Sequence, residues 1–120
     1  MLKSKIHRAT VTHADLNYEG SITISPELLQ ISDILPYEAV HVWNVTAGTR
    51  FETYAIEGTP GSRDICVNGA AAHLVTVGDI VIIASFIQVP EEQCKAHLPK
   101  AVFMDSRNTV AEIRPEKSQC

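Results

Sequence analysis

The most reactive arrangement in the sequence is a glycine followed by a serine at positions 20 and 21. The hydroxyl of Ser21 can attack the carbonyl carbon of Gly20 if the peptide between them is strained, and glycine tolerates the unusual backbone angles that such strain requires. The amide becomes an ester, β-elimination breaks the chain to leave dehydroalanine, and hydrolysis of that residue gives a pyruvoyl group. The pair alone is a weak signal, because it recurs at Gly61-Ser62, and a turn or a strand start is the simpler interpretation of either.

Other familiar catalytic signatures are missing from the sequence. There is no glycine-rich phosphate loop, no G-x-S-x-G motif and no H-E-x-x-H pair. The five histidines are scattered without the spacing of metal ligands, so no metal site is predicted. The three cysteines, Cys66, Cys94 and Cys120, are odd in number and widely spaced, which favours free thiols in a reducing cytoplasm.

Bulk composition narrows the class of protein. A chain of 120 residues suits one domain, residues 1–120, with a modest core. A net charge of −4 without a basic run argues against nucleic acid or an anionic membrane as the main partner. The longest apolar stretch, Ile80 to Val89, is too short to span a bilayer and favours a buried strand. The segment Met1 to Lys5 lacks the apolar region of a secretory signal, which predicts a cytoplasmic protein.

The elements that must position these residues are mostly short strands. Strands are predicted over 6–13, 21–24, 38–46, 50–56, 64–67, 80–89, 101–104 and 109–113. The motif Ser25-Pro26-Glu27 predicts a helix start, with an apolar face that continues through Leu35 until Pro36 ends it. Short helical turns are predicted over 68–73 and 90–96, and the polar tail from Pro115 is expected to be frayed. Many short strands separated by turns favour a compact barrel.

Four ordered blocks of the sequence resemble the bacterial aspartate 1-decarboxylases, which depend on a pyruvoyl group. The blocks are Thr12 to Ser21; Trp43 to Thr46 with Gly48, Arg50-Phe51 and Thr53 to Ile56; Val67 to His73; and Val77 to Phe86. They occur in the family's order and spacing, and the resemblance covers roughly residues 1 to 105. The tail beyond Met104 aligns with nothing in the family.

The resemblance implies a mainly β fold, a double-psi β-barrel with short helices, assembled as a homotetramer with active sites between subunits. It implies self-cleavage between Gly20 and Ser21, giving a β chain of residues 1–20 and an α chain of residues 21–120. Ser21 would become a covalent pyruvoyl cofactor that forms a Schiff base with L-aspartate and takes up electron density as CO₂ leaves. The product, β-alanine, would supply pantothenate and coenzyme A synthesis, and some members of the family need a maturation factor.

The resemblance also assigns roles to side chains. Arg50 and Lys5 would bind the two carboxylates of aspartate, in an order that stays open. Tyr54 would return a proton to the substrate carbon, and Thr53 would donate a hydrogen bond to the oxyanion formed during cleavage. Asn68 would lie beside the cofactor, and the backbone of Gly69, Ala70 and Ala71 would donate N–H groups to the substrate. Tyr18 and His7 are secondary candidates for lining the site. Trp43 is assigned to packing.

Two alternatives remain open on the sequence alone. The chain could be a non-catalytic β-barrel binding module with an intact Ser21, although the presence of the complete set of matching residues argues against it: Lys5, Ser21, Arg50, Thr53, Tyr54 and Asn68. It could also be a pyruvoyl decarboxylase for another amino acid, although the pairing of a lysine with an arginine favours a dicarboxylic substrate.

Overall fold

Strands form most of the structure. The computed structural model of the chain describes residues 1–120. The nine strands are β1 Leu2–Thr10, β2 His13–Asp15, β3 Ser21–Ile24, β4 Ala39–Asn44, β5 Arg50–Glu57, β6 Ile65–Asn68, β7 Ile80–Phe86, β8 Lys100–Met104 and β9 Val110–Pro115. One α-helix, α1 (Pro26–Ile31), and two 3-10 helices, Gly69–Leu74 and Glu91–Ala96, connect them. No helix is long and apolar enough to cross a membrane.

All nine strands belong to one mixed sheet. Its order is β2-β6-β3-β5-β4-β7-β1-β8-β9. Three of the pairings are parallel, namely β1 with β8, β2 with β6 and β3 with β5, and the other pairings are antiparallel. The prediction of a mainly β single domain is confirmed, and a curled mixed sheet is consistent with a β-barrel.

The core lies on the inner face of this sheet. Strand β4 shows why: Val40, Val42 and Asn44 are buried, while His41 and Trp43 between them point to the outer face. This alternation follows from the two-residue period of a strand. The fully buried large side chains come from six strands, from α1 and from the β1–β2 connection: Ile6, Val11, Ile22, Ile24, Leu29, Val40, Val42, Ile65, Val67, Val81, Ile83 and Val102.

The helix α1 is shorter than predicted. Ser25 caps it by accepting a hydrogen bond from the backbone N–H of Leu28 at 3.3 Å, and proline begins it, as expected. It ends at Ile31 rather than at Pro36, because Asp33 adopts a left-handed conformation with a φ of +55°. The prediction that Leu35 continues the buried face was therefore wrong, and Leu35 is exposed.

Three other predicted bounds are corrected by the structure. The first strand begins at Leu2 and ends at Thr10, and residues 13–15 form the separate strand β2. The strand predicted over 80–89 ends at Phe86, where the chain turns and the N–H of Ile87 donates to the carbonyl of Met1 at 2.8 Å. The tail is not frayed from Pro115, because β9 includes that residue and β8 pairs with it.

Candidate active site

Ser21 is the centre of the candidate site. It is the first residue of β3, and its side chain is fully buried. Its φ is +136°, a value that residues with a side chain rarely adopt, and such a conformation costs on the order of 1–3 kcal/mol. The strained residue is thus the serine of the predicted scissile peptide.

Asn68 lies directly opposite Ser21 in the pairing of β3 with β6. Its Nδ2 donates to Ser21 Oγ at 3.4 Å and to Thr23 Oγ1 at 3.0 Å. The shorter bond to Thr23 fixes the amide, because a side chain held by one partner presents its remaining donor in a defined direction. Sequence reasoning missed Thr23, and its position two residues after Ser21 on the same face of β3 was the available signal.

Gly69 contacts the other half of the scissile peptide. It has a φ of +69° and is buried at the start of the first 3-10 helix. A Cβ at this position would lie 2.8 Å from the Cα of Gly20 and 3.0 Å from its nitrogen, closer than real side chains approach. Only glycine lets the two backbones meet here. Ala70 is exposed and Ala71 half-buried in the same helix.

Thr53 and Tyr54 belong to the neighbouring strand β5. The parallel pairing places Ile22 opposite Ala55, and one step back along both strands brings Ser21 beside Tyr54. If the same register continued one residue beyond the start of β3, Gly20 would lie beside Thr53. Tyr54 is 42% exposed, so its hydroxyl is accessible to a ligand, whereas Thr53 is half-buried and faces the inner side with Val40.

Arg50 begins β5 on the same outer face as Tyr54. Its guanidinium lies 5.2 Å from the ring centroid of Trp43, and it forms no ion pair with a carboxylate. Trp43, assigned to packing, is half-buried on the outer face and has Phe86 edge-on at 6.3 Å between ring centroids. A cavity of about 210 Å³ opens between Trp43, Arg50 and Ile82. An unpaired arginine at a cavity can bind an anion.

Lys5 lies on a strand that does not neighbour the strand of Ser21. It is on the outer face of β1, and the strands β5, β4 and β7 separate β1 from β3. Four strand spacings correspond to about 19 Å around the sheet. The Nζ of Lys5 is 2.6 Å from the Oε2 of Glu116, in the tail that sequence reasoning left unassigned.

His7 and Tyr18 were the two secondary candidates. His7 lies beside Lys5 on β1 and meets the ring of Phe103 edge-on at 5.2 Å. Burial, followed by the charges of Lys5 and Arg8, lowers the pKa of His7 from its ordinary value. Tyr18 is exposed in the connection between β2 and β3.

The structure therefore separates the predicted residues into two groups. Gly20, Ser21, Asn68 and Gly69 are in contact, with Thr53 and Tyr54 on the adjacent strand. Arg50 lies further along that strand, and Lys5 lies three strands away. A cavity of about 330 Å³ between α1, the loop near Gly61 and the turn near Asn108 includes none of them.

Fold and site together define a small, mainly β, single-domain protein. Its Ser21 is buried and has a strained backbone conformation, and the preceding Gly20 is in close contact with Gly69. The family model described as "Aspartate decarboxylase" matches residues 1–111. The chain belongs to the aspartate decarboxylase family and is an enzyme of that family.

Curated relatives agree with the family model. Aspartate 1-decarboxylase from Legionella pneumophila (strain Paris) is 74% identical over 117 residues, which cover 98% of this chain and 88% of the relative. The protein of the same name from Syntrophotalea carbinolica is 67% identical over 97% of this chain and 88% of the relative. That from Rhodopirellula baltica is 59% identical, over 97% of this chain and 74% of the relative.

Proposed function

We propose that this protein decarboxylates L-aspartate to β-alanine and CO₂ with a pyruvoyl group made from its own Ser21. The observation that carries the proposal is the strained φ of +136° at a buried serine that follows a glycine. Family membership supports the substrate, since the relatives are named aspartate 1-decarboxylase. The product would serve pantothenate and coenzyme A synthesis in the cytoplasm, a location that three unpaired cysteines support.

The first reaction is cleavage of the chain by its own serine. The Oγ of Ser21 attacks the carbonyl carbon of Gly20, the peptide C–N bond breaks, and an ester joins the two residues. Loss of the Ser21 α-proton then breaks the Cβ–Oγ bond, so that Gly20 leaves as a carboxylate and dehydroalanine remains. Addition of water releases ammonia and leaves the pyruvoyl group. The cut gives a β chain of residues 1–20 and an α chain of residues 21–120.

Surrounding side chains suit this reaction. Strain at Ser21 raises the energy of the intact peptide and therefore lowers the barrier to its rearrangement. Thr53, which continues the register beside Gly20, is the proposed donor to the oxyanion on the Gly20 carbonyl. The amide of Asn68 donates to Ser21 Oγ and so orients it.

The residues around position 21 also fit the mature group. In the pyruvoyl group the Cβ of residue 21 becomes a methyl and the keto oxygen replaces its nitrogen, so the bond from Asn68 to Oγ belongs to the precursor, and after the cut the same N–H is free to donate to substrate. Because residues 20 and 69 are both glycines, no side chain separates the backbone before residue 21 from the start of the first 3-10 helix. The pyruvoyl group supplies a carbonyl that reacts with the substrate amine and draws electrons as CO₂ leaves.

The chain's own residues supply binding and proton transfer. Arg50 and Lys5 are proposed to hold the two carboxylates, because two cations match a dicarboxylate and disfavour amino acids with one. Tyr54, beside Ser21 and accessible, is the proposed proton donor to the substrate carbon. The backbone N–H groups of Gly69, Ala70 and Ala71 are proposed to complete the substrate contacts.

A homotetramer with a double-psi β-barrel subunit completes the proposal. Lys5 lies on the outer face of the sheet, about 19 Å around it from Ser21. A second copy that packs on this face can bring its Lys5 to the first copy's Ser21. The exposed Phe86 and Tyr54 on the same face support such packing, since exposed aromatic patches mark interfaces.

The test is an intact-mass measurement of purified protein, with and without a maturation factor from a related bacterium. We expect two fragments that separate between Gly20 and Ser21, and the larger should lack a free amino terminus and react with a carbonyl reagent. The variant Ser21→Ala should stay whole, and the control Ser62→Ala, which removes the hydroxyl of the other Gly-Ser pair, should cleave normally.

The product is identified with carbon-labelled aspartate, which the cleaved protein should convert to β-alanine. A wild-type chain that stays whole after prolonged warming, with the maturation factor present, would refute the proposal and favour a binding module with intact Ser21. Cleavage without turnover of aspartate would instead point to a different amino acid as substrate.

A further inference from the structure

Glu116 is held in place by ordered backbone at the end of β9. Strand β8 pairs with β1 on one side and with β9 on the other, with Lys5 opposite Ala101 and Ala101 opposite Arg114. The backbone N–H of Glu116 donates to the carbonyl of Pro99 at 2.8 Å. The tail therefore continues along β8 beyond the last strand, on the part of the chain that follows the family match to residue 111.

The carboxylate of Glu116 reaches across β8 to the ammonium of Lys5. Residues 114 and 116 point to the same face of β9 as Lys5 does on β1, and only the small side chain of Ala101 lies between. The Glu116 Oε2 to Lys5 Nζ distance is 2.6 Å, and Lys5 forms no other ion pair. The nearby guanidinium of Arg114 lies over the ring of Phe103 at 4.2 Å and bonds Glu112.

The pair is sheltered from solvent more than most surface pairs. The side chains of Lys5 and Glu116 are 17% and 32% exposed. The ammonium of Lys5, 2.6 Å from Oε2, holds the pKa of Glu116 below its ordinary value, so this carboxyl is ionised at neutral pH. Lys5 therefore carries a carboxylate partner before any substrate arrives.

We infer that Glu116 occupies on Lys5 the position of a substrate carboxylate and competes with aspartate for it. This inference rests on the proposed function, in which Lys5 binds one carboxylate of the substrate. Glu116 ends in the same chemical group as the aspartate side chain, and a close ion pair with one carboxylate oxygen excludes a second carboxylate from that position on the ammonium. Because the competitor is tethered, its effective concentration is in the millimolar range or above, whatever the concentration of protein.

Substrate binding then requires the Glu116 side chain to turn away from Lys5. The tail sets the apparent affinity for aspartate without taking part in the chemical step. Removing the carboxylate should therefore lower KM and leave kcat unchanged. Partly exposed ion pairs are weak, so the expected decrease in KM is about two- to fivefold.

The test compares Glu116→Gln with Glu112→Gln in the full-length, cleaved enzyme. Glu112 is on β9, the strand that leads to Glu116, and its loss changes the net charge equally, but it contacts Arg114 rather than Lys5. We expect KM for aspartate to fall in Glu116→Gln alone, with kcat equal in both variants and wild type. Equal decreases in both variants would assign the effect to overall charge, and an unchanged or raised KM in Glu116→Gln would also overturn the inference.

Succinate binding gives a second readout that does not depend on turnover. Succinate carries two carboxylates and no amine, so it can be measured by calorimetry on inactive protein as well. We expect Glu116→Gln to bind succinate about two- to fivefold tighter than wild type and than Glu112→Gln. A wild-type protein that binds succinate but does not decarboxylate aspartate would refute the proposed function alone, whereas equal succinate affinities would refute the role of Glu116.

Discussion

At the scale of single residues, the site is defined by what its backbone tolerates. Ser21 has a side chain and yet adopts a φ of +136°, while Gly69 lacks one and contacts the backbone of Gly20. Conformations of this kind persist only where the surrounding structure imposes them. Asn68, which pairs with Ser21 across β3 and β6, belongs to the surrounding structure that holds Ser21 in this conformation.

Replacing Gly69 with alanine should slow self-cleavage about ten- to a hundredfold, because a shift near 1 Å in reacting groups can cost that much in rate. The new Cβ would lie 2.8 Å from the Cα of Gly20, so the scissile peptide has to move. The rate is measured by mass spectrometry after expression of the precursor. The control is Gly61→Ala. Gly61 also has a positive φ, +79°, but a Cβ at this position would have no atom within 4 Å.

These two variants share the cost of a positive φ and differ in the contact with Gly20. A Gly61→Ala precursor that cleaves as slowly as Gly69→Ala would assign the effect to general destabilisation. Thermal melting of the uncleaved precursors shows whether the two variants are equally folded.

His7 should make the protein less stable in mild acid. Burial and the charges of Lys5 and Arg8 lower its pKa in the folded state, so the unfolded chain takes up a proton first as the pH falls through about 6.5. The free energy of unfolding then falls as the pH decreases, until the pH reaches the pKa of His7 in the folded state. The loss of melting temperature between about pH 7.5 and pH 5.5 should be smaller in His7→Gln than in wild type.

The control for His7 is His73→Gln, which removes an exposed histidine at the end of the first 3-10 helix. Its loss of melting temperature over the same interval should match that of wild type. Identical losses in His7→Gln and wild type would contradict the prediction.

At the scale of elements, periodicity predicted the strands better than it predicted where they end. The alternation of Val40, Val42 and Asn44 against His41 and Trp43 gave β4 and its two faces correctly, because one buried face imposes a two-residue period. The end of α1 could not be predicted in this way. Its apolar pattern continues past Ile31, and nothing in that pattern signals the left-handed conformation of Asp33 that stops it.

The candidate site was likewise only partly predictable. The resemblance located Gly20, Ser21 and Asn68, which the structure brings into contact. The position of Lys5 on a strand remote from Ser21 follows from the strand order, and strand order depends on long-range pairing that no local pattern encodes. The partner of Lys5, Glu116, lies in the tail that the blocks of resemblance do not reach.

At the scale of the whole molecule, the outer face of the sheet should be covered by further copies of the chain. Replacing Phe86 with glutamate should convert the proposed tetramer to smaller species, since it places a charge at an aromatic side chain that is 46% exposed beside His41 and Trp43. Sedimentation equilibrium measures the change. The control Phe86→Leu keeps an apolar side chain and should keep the tetramer.

Activity and assembly should change together in this series. If Lys5 reaches Ser21 across the interface, Phe86→Glu should lose aspartate turnover while its fold, followed by circular dichroism, is unchanged. A monomeric Phe86→Glu protein with wild-type turnover would show that each chain contains a complete site.

The place of β1 in the sheet would make unfolding hard to reverse after the proposed cut. This strand lies between β7 and β8, which both follow position 21 in the sequence, so the short piece would remain as an interior strand of the long one. The nicked molecule would hold together in native conditions and come apart in denaturant. A chain that first folds in a single-molecule process would afterwards refold only by the meeting of two fragments, one of them 20 residues long. Its recovery from unfolding would then depend on concentration, so the molecule would be formed once and not readily formed again.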